Sequence, residues 1–142
     1  MELRGNRGEW SELYALLRLL ADGRLYCGDA NQNRQDDRFF PILKIFRNDQ
    51  IDRTAYTVNA AKKEILVSRA NDCTIDVSQE EMQTKAHSIL NVIKTHTGTF
   101  DIPEIHNFLE RIDCKTIKTD TCITDIRRSR FFLFLFISDI FL

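Results

Sequence analysis

Glycine and proline are scarce in this chain, five and two residues among 142. That scarcity excludes collagen-like repeats and low-complexity linkers, and with 43% apolar and 29% charged residues it leaves an ordinary globular composition. No sign of charge predominates: 20 Lys plus Arg face 21 Asp plus Glu, for a formal net charge of −1. A global basic field for nucleic acid or anionic lipid is therefore excluded, and any polyanion site has to be local. Cysteine is limited to Cys27, Cys73, Cys114 and Cys122, with no C-x-x-C pair, and His87, His96 and His106 stand nine and ten residues apart. These spacings are far from those of structural zinc and fit free thiols in a reducing cytoplasm. No cleavable signal peptide opens the sequence, since Met1 leads directly into Glu2 and Arg4. A chain of this length holds one modest domain with a real core.

The pattern is helical from Asn6 to Gly23, where Trp10, Leu13, Tyr14, Leu17 and Leu20 form one apolar stripe. Asn6 with Glu9 makes a capping box, and Gly23 supplies a left-handed stop. Gly28 to Arg38 is too polar for a core element and reads as a loop. Phe39 to Phe46 is aromatic and β-branched, with Pro41 pointing to an edge strand or one that starts near Ile42. Ala55 to Val58, Glu64 to Ser68 and Thr74 to Val77 predict an antiparallel meander. Ser78 opens a second helix with Glu81 in the capping-box position, burying Met82, Ala86, Ile89, Leu90 and Ile93 before Gly98. A shorter helix begins at Pro103 and buries Ile105, Phe108, Leu109 and Ile112. One more strand is expected around Ile123 and Asp125, which share a face by alternation. The predicted order is helix, strands, helix, helix, strand, a mixed α/β (α+β) domain over residues 1–126.

The composition breaks at residues 127–142. Phe131 to Leu142 is apolar at ten of twelve positions, behind Arg127, Arg128 and Arg130. This tail is shorter than the roughly twenty residues a membrane span requires. Three readings stay open: a surface-seated segment, a fully buried strand, or an ending left by a frame change upstream.

The opening helix offers Glu9 and Glu12 one turn apart. Acidic residues at a helix start are ordinarily explained by capping and the dipole, and Gly5 with Gly8 lacks the spacing of a phosphate loop. The residues themselves, however, carry a resemblance. Gly-Asn-Arg-Gly-Glu-Trp-Ser-Glu-Leu-Tyr-Ala-Leu-Leu-Arg-Leu-Leu-Ala-Asp-Gly-Arg-Leu-Tyr, from Gly5 to Tyr26, closely resembles the start of HpaII-type restriction endonucleases. Phe-Pro-Ile-Leu-Lys-Ile at Phe40 to Ile45, Ile-Pro-Glu-Ile-His-Asn-Phe-Leu at Ile102 to Leu109 and Cys-Lys-Thr-Ile-Lys at Cys114 to Lys118 follow in the same order. The resemblance fades after Ile126.

This resemblance implies the N-terminal portion of a type II enzyme that hydrolyses double-stranded DNA at a short palindrome, CCGG-like by the family's name. It implies a restriction-endonuclease-like nuclease core of the PD-(D/E)XK kind, a magnesium cofactor, a homodimer among its arrangements, and a cognate DNA methyltransferase as genetic partner. In such cores a strand aspartate and an acid on the next strand hold the metal, and a lysine two positions later helps activate water. By position Asp125 matches the strand aspartate, and Glu9 the helix glutamate that joins the metal shell. Lys115 and Lys118 flank that strand as candidate phosphate contacts. No lysine follows Lys118 and the only acid after Asp125 is Asp139, so the partner strand's motif is missing. Asp113-Cys114-Lys115 spells an acid-x-lysine triplet but follows a helix and reads as coincidence. A shortened, inactive member is therefore expected, with a small noncatalytic DNA-binding or interaction protein, its tail docked on a partner or membrane surface, as the rival.

Overall fold

The computed structural model describes residues 3–48, 53–69, 74–112 and 121–126, the last of these by backbone course alone. A short strand β1 (Arg4–Asn6) leads into helix α1 (Arg7–Asp22), whose two ends carry the predicted signals. The Asn6 side chain accepts from the Glu9 N–H at 2.9 Å, and the Glu9 carboxylate accepts from the Asn6 N–H at 3.0 Å. This reciprocal pair satisfies two of the orphan donors of the first turn. Gly23 ends the helix at φ 63°, with its N–H donating to the Leu19 carbonyl at 2.8 Å. A Cβ there would come within 2.9 Å of the Gln79 side-chain amide, so both conformation and space call for glycine.

The strands β2 (Arg24–Gly28), β3 (Arg34–Asn48), β4 (Arg53–Asn59), β5 (Glu64–Arg69) and β6 (Thr74–Ser78) pair in chain order, each antiparallel to its neighbour. The meander expected across residues 55–77 is therefore present, extended at one side by β3. Its register aligns Ile45, Tyr56, Val67 and Ile75 across four strands. Ile45, Tyr56, Ile65, Val67 and Val77 on this alternation are buried, while Lys44, Phe46, Thr57 and Leu66 on the other are only partly so. The period of two thus gives the sheet one core face.

Helix α2 (Gln79–Ile93) starts at Ser78, whose hydroxyl accepts from the Glu81 N–H at 3.1 Å. The Glu81 carboxylate reaches Arg111, tying the start of α2 to the end of α3 (His106–Arg111). The two long helices pack on each other. Their stripes, Trp10, Leu13, Leu17 and Leu20 from α1 and Met82, Ala86, Ile89 and Ile93 from α2, join the sheet's buried face in one core. Between the helices a strand β7 (Thr99–Asp101) pairs with β1, and the Trp10 indole N–H donates to the Phe100 carbonyl at 3.0 Å. A 3-10 turn at Pro103–Ile105 precedes α3, and the residues predicted to be buried there, Ile105, Phe108, Leu109 and Ile112, are all buried.

Strand β8 (Thr121–Ile126) lies antiparallel to the second half of β3. One sequence expectation fails. Residues 34–38, read as loop, are the first part of the fifteen-residue β3, with Arg34 and Gln35 paired to β2 and 36–38 at a register shift. Their polarity reflects a largely exposed strand rather than absence of structure. Cys27 is a half-buried free thiol, as expected of an unpaired cysteine. No helix among the described residues is long and apolar enough to cross a membrane. The tail at 127–142 lies outside the described residues.

Candidate functional site

The site predicted from sequence begins at the first turn of α1. Glu9 is half-buried and fixed there by its capping bond, with Oε2 held by the Asn6 N–H. Its Oε1 accepts no hydrogen bond among the described residues. Glu12 follows one turn on. Partial desolvation of its carboxyl, and then the nearby negative charge of Glu9, raise its pKa above the ordinary glutamate value, while Arg47 pulls in the other direction.

That arginine was not singled out from sequence. Arg47 is 3% exposed, near the end of β3 and on the same alternation as the buried Ile45. A guanidinium on the core face of a sheet is uncommon, because burial removes its water and requires acceptors in return. A signal existed, since the alternation that buries Ile45 also turns position 47 inward. The result is a carboxylate pair at the start of α1, with Glu12 within electrostatic reach of the Arg47 guanidinium. A carboxyl perturbed as that of Glu12 occurs preferentially at functional sites.

Backbone register places Asp125 opposite Lys44 on β3, Thr124 opposite Ile45 and Cys122 opposite Arg47. Asp125 therefore stands at the Lys44 position of the alternation and not at that of Ile45 and Arg47, and no contact among the described residues brings it together with Glu9. Glu9 and Glu12 are brought together by the helix. Lys115 and Lys118 lie outside the described residues. Among the described residues no group of three or more His, Cys, Asp or Glu side chains converges tightly enough to hold a metal ion. The chemistry available from α1 is thus a pair of hard oxygen donors, suited to magnesium when a further carboxylate joins them.

The histidines are ordinary polar residues. His106 Nε2 stands 2.5 Å from Asp101 Oδ1, a local tie between β7 and the start of α3. The His96 ring meets the Val92 carbonyl and packs on Phe100.

Comparison with known proteins bears on this arrangement. The sequence model of the family described as HpaII restriction endonuclease matches residues 6–129. The type II restriction enzyme HpaII of Haemophilus parainfluenzae is 40% identical over 111 residues, which is 76% of this chain and 30% of that protein. The chain thus spans about a third of the length of the curated relative it matches. No solved structure matches it. The matched region holds α1 with its carboxylate pair, the whole meander and β8, and on that extent of agreement the chain belongs to the HpaII restriction endonuclease family.

Proposed function

We propose that this domain is the N-terminal part of a magnesium-dependent type II endonuclease that hydrolyses phosphodiester bonds of duplex DNA at a CCGG-like palindrome. The observation that carries the reading is the continuous family match over residues 6–129, which takes in both Glu9 and Asp125. Glu9 and Asp125 are the residues that would hold the metal. A bound magnesium ion would supply charge neutralisation at the scissile phosphate and an activated water. Glu9 would offer Oε1 to such an ion, since the capping bond at Oε2 orients the carboxylate. Glu12 keeps its proton to a higher pH than an ordinary glutamate does, because of partial desolvation and the neighbouring Glu9 charge. Lys115 and Lys118 would contact phosphates.

Residues 1–142 include no acid-x-lysine pair after Asp125, so by themselves they are expected to lack cleavage altogether rather than to cleave slowly. Groups that act as one unit lose function together. A homodimer on the palindrome, a cognate methyltransferase and a cytoplasmic location complete the proposal. The test is a plasmid nicking assay with magnesium, run on this chain and on a version extended by the family's following strand. Site-specific cutting by the extended form alone is the expected result. An extended form inert on every substrate, with a chain that pellets with lipid vesicles, would overturn the reading in favour of a noncatalytic interaction protein.

A further inference from the structure

We propose that the ribbon formed by β2 and the first half of β3 is a DNA-reading element, whose tip at Asn31–Arg34 enters the major groove. The inference rests on the endonuclease reading and adds to it the residues that read bases. Arg34, Gln35 and Phe39 to Pro41 of β3 pair with β2 across a register shift at residues 36–38, whereas the partners β4 and β8 are engaged from residue 42 onward. The first half of β3 therefore leaves the sheet as a two-stranded ribbon. Every residue from Gly28 to Arg34 is exposed, as are those from Asp36 to Phe39, so the outer part of the ribbon stands away from the core, which Leu25 and Phe40 touch at its base. Two strands about 5 Å apart, with their side chains, fit a major groove about 12 Å wide.

The chemistry at the end of the ribbon matches base edges. Asn31, Gln32, Asn33 and Arg34 follow one another, with Arg38 on the stem. An amide side chain both donates and accepts, so singly it can bond guanine N7 or O6 or cytosine N4, the edges that a CCGG site displays. Arg34 is held by Asp36 at 2.7 Å and orders the turn. The turn is built without the tip amides: Asp29 Oδ1 accepts from the N–H groups of Asn31 at 2.8 Å and Asn33 at 2.9 Å. The Asn31, Gln32 and Asn33 side chains make no hydrogen bond among the described residues and remain available to a ligand. The stem is stiffened by stacking, with Arg24 4.2 Å from the Phe39 ring centre and Arg34 3.8 Å from that of Tyr26. Three arginines and three aspartates share residues 24–40, so the ribbon has no excess charge for holding phosphates. Selection of bases, rather than general attraction to DNA, is what such an element supplies.

The full chain is tested by fluorescence anisotropy on two duplexes of about two helical turns, one centred on CCGG and one with those bases rearranged. Guanine N7 methylation protection is read in parallel as the major-groove signal. The native chain is compared with Asn31→Ala/Gln32→Gly/Asn33→Ala, in which glycine suits the left-handed φ of 64° at position 32. The variant is expected to lower the preference between duplexes about tenfold or more, to lose N7 protection, and to keep the salt dependence of binding. Unchanged preference and protection in a folded variant would overturn the proposal, as would native binding without preference or protection. A native chain that binds neither duplex would remove the DNA reading itself, and this inference with it.

Discussion

Strand β3 is one continuous strand with two physical environments. Its second half, from Ile42 to Asn48, is enclosed by β4 on one side and β8 on the other, with Ile45 and Arg47 facing the helices. Its first half, from Arg34 to Pro41, has β2 as partner strand and is largely exposed, with Phe40 meeting the core at its base. The enclosed half derives its order from apolar burial, and the ribbon half from ladder hydrogen bonds and Arg–aromatic stacking. A strand therefore need not be core structure, and the half that adds little to the core is the half free to present side chains to a ligand.

The sharpest way to break this contrast is to truncate one aromatic on each side of it. Trp10 is fully buried, stacks on Phe100 with ring centres 6.1 Å apart, and donates to a buried carbonyl. Trp10→Ala should cost about 3–5 kcal/mol by cavity formation and the lost hydrogen bond. Phe39→Ala in the ribbon should cost about 1 kcal/mol, because Phe39 is 36% exposed and loses its Arg24 stack and its edge contact with the Tyr26 ring. Urea denaturation of both variants checks the pair. Equal losses would show that the ribbon is part of the cooperative core.

Arg47 tests the enclosed half from its polar side. Arg47→Met keeps much of the aliphatic volume and removes the guanidinium, with an expected loss of about 2 kcal/mol as the interactions of a buried charged group are lost. The same substitution removes the one influence that lowers the Glu12 pKa, so Glu12 should titrate at still higher pH. An NMR titration of the Glu12 side chain reads this directly.

The contrast also decides what was legible in the sequence. The α1 stripe, its Asn6 and Gly23 ends, and the meander follow from local periodicity and caps, so residues 6–23 and 55–77 are readable without tertiary knowledge. The ribbon is not. Its hydrophobic pattern is missing because its outer part stands away from the core, and its order comes from pairing with a strand ten residues away in sequence. Three-residue β1 and β7 are equally hidden, since their pairing joins positions 4–6 to 99–101. At the candidate site the Glu9 and Glu12 pair could be read from helical spacing. Arg47 beside it could be found only by carrying the strand alternation one step past Ile45.

A smaller effect separates capping from catalysis at the start of α1. Asn6→Ala removes the acceptor for the Glu9 N–H and should cost about 1 kcal/mol in thermal unfolding. Glu9→Gln retains an amide oxygen able to accept from the Asn6 N–H, so stability should move by no more than about 0.5 kcal/mol. In the extended nuclease the same substitution should abolish cleavage, because it removes a metal-binding charge. Retained cleavage in Glu9→Gln would make Glu9 a cap and nothing more.

The smallest effect expected is at Glu12. Its folded-state pKa lies above the ordinary value of 4.5, so between the unfolded and folded values the native state binds more protons than the unfolded one. Stability contributed by the protonated form is therefore present at low pH and declines as pH rises through that window. Glu12→Gln should remove this decline and leave the variant at neutral pH equal to or slightly more stable than the native chain, by at most a few tenths of a kcal/mol after solvent screening. Urea midpoints measured from acid to neutral pH give the comparison. A native chain that instead gains stability with rising pH relative to Glu12→Gln would mean that Arg47 outweighs desolvation and Glu9, making Glu12 part of an ion pair rather than of a strained carboxylate pair.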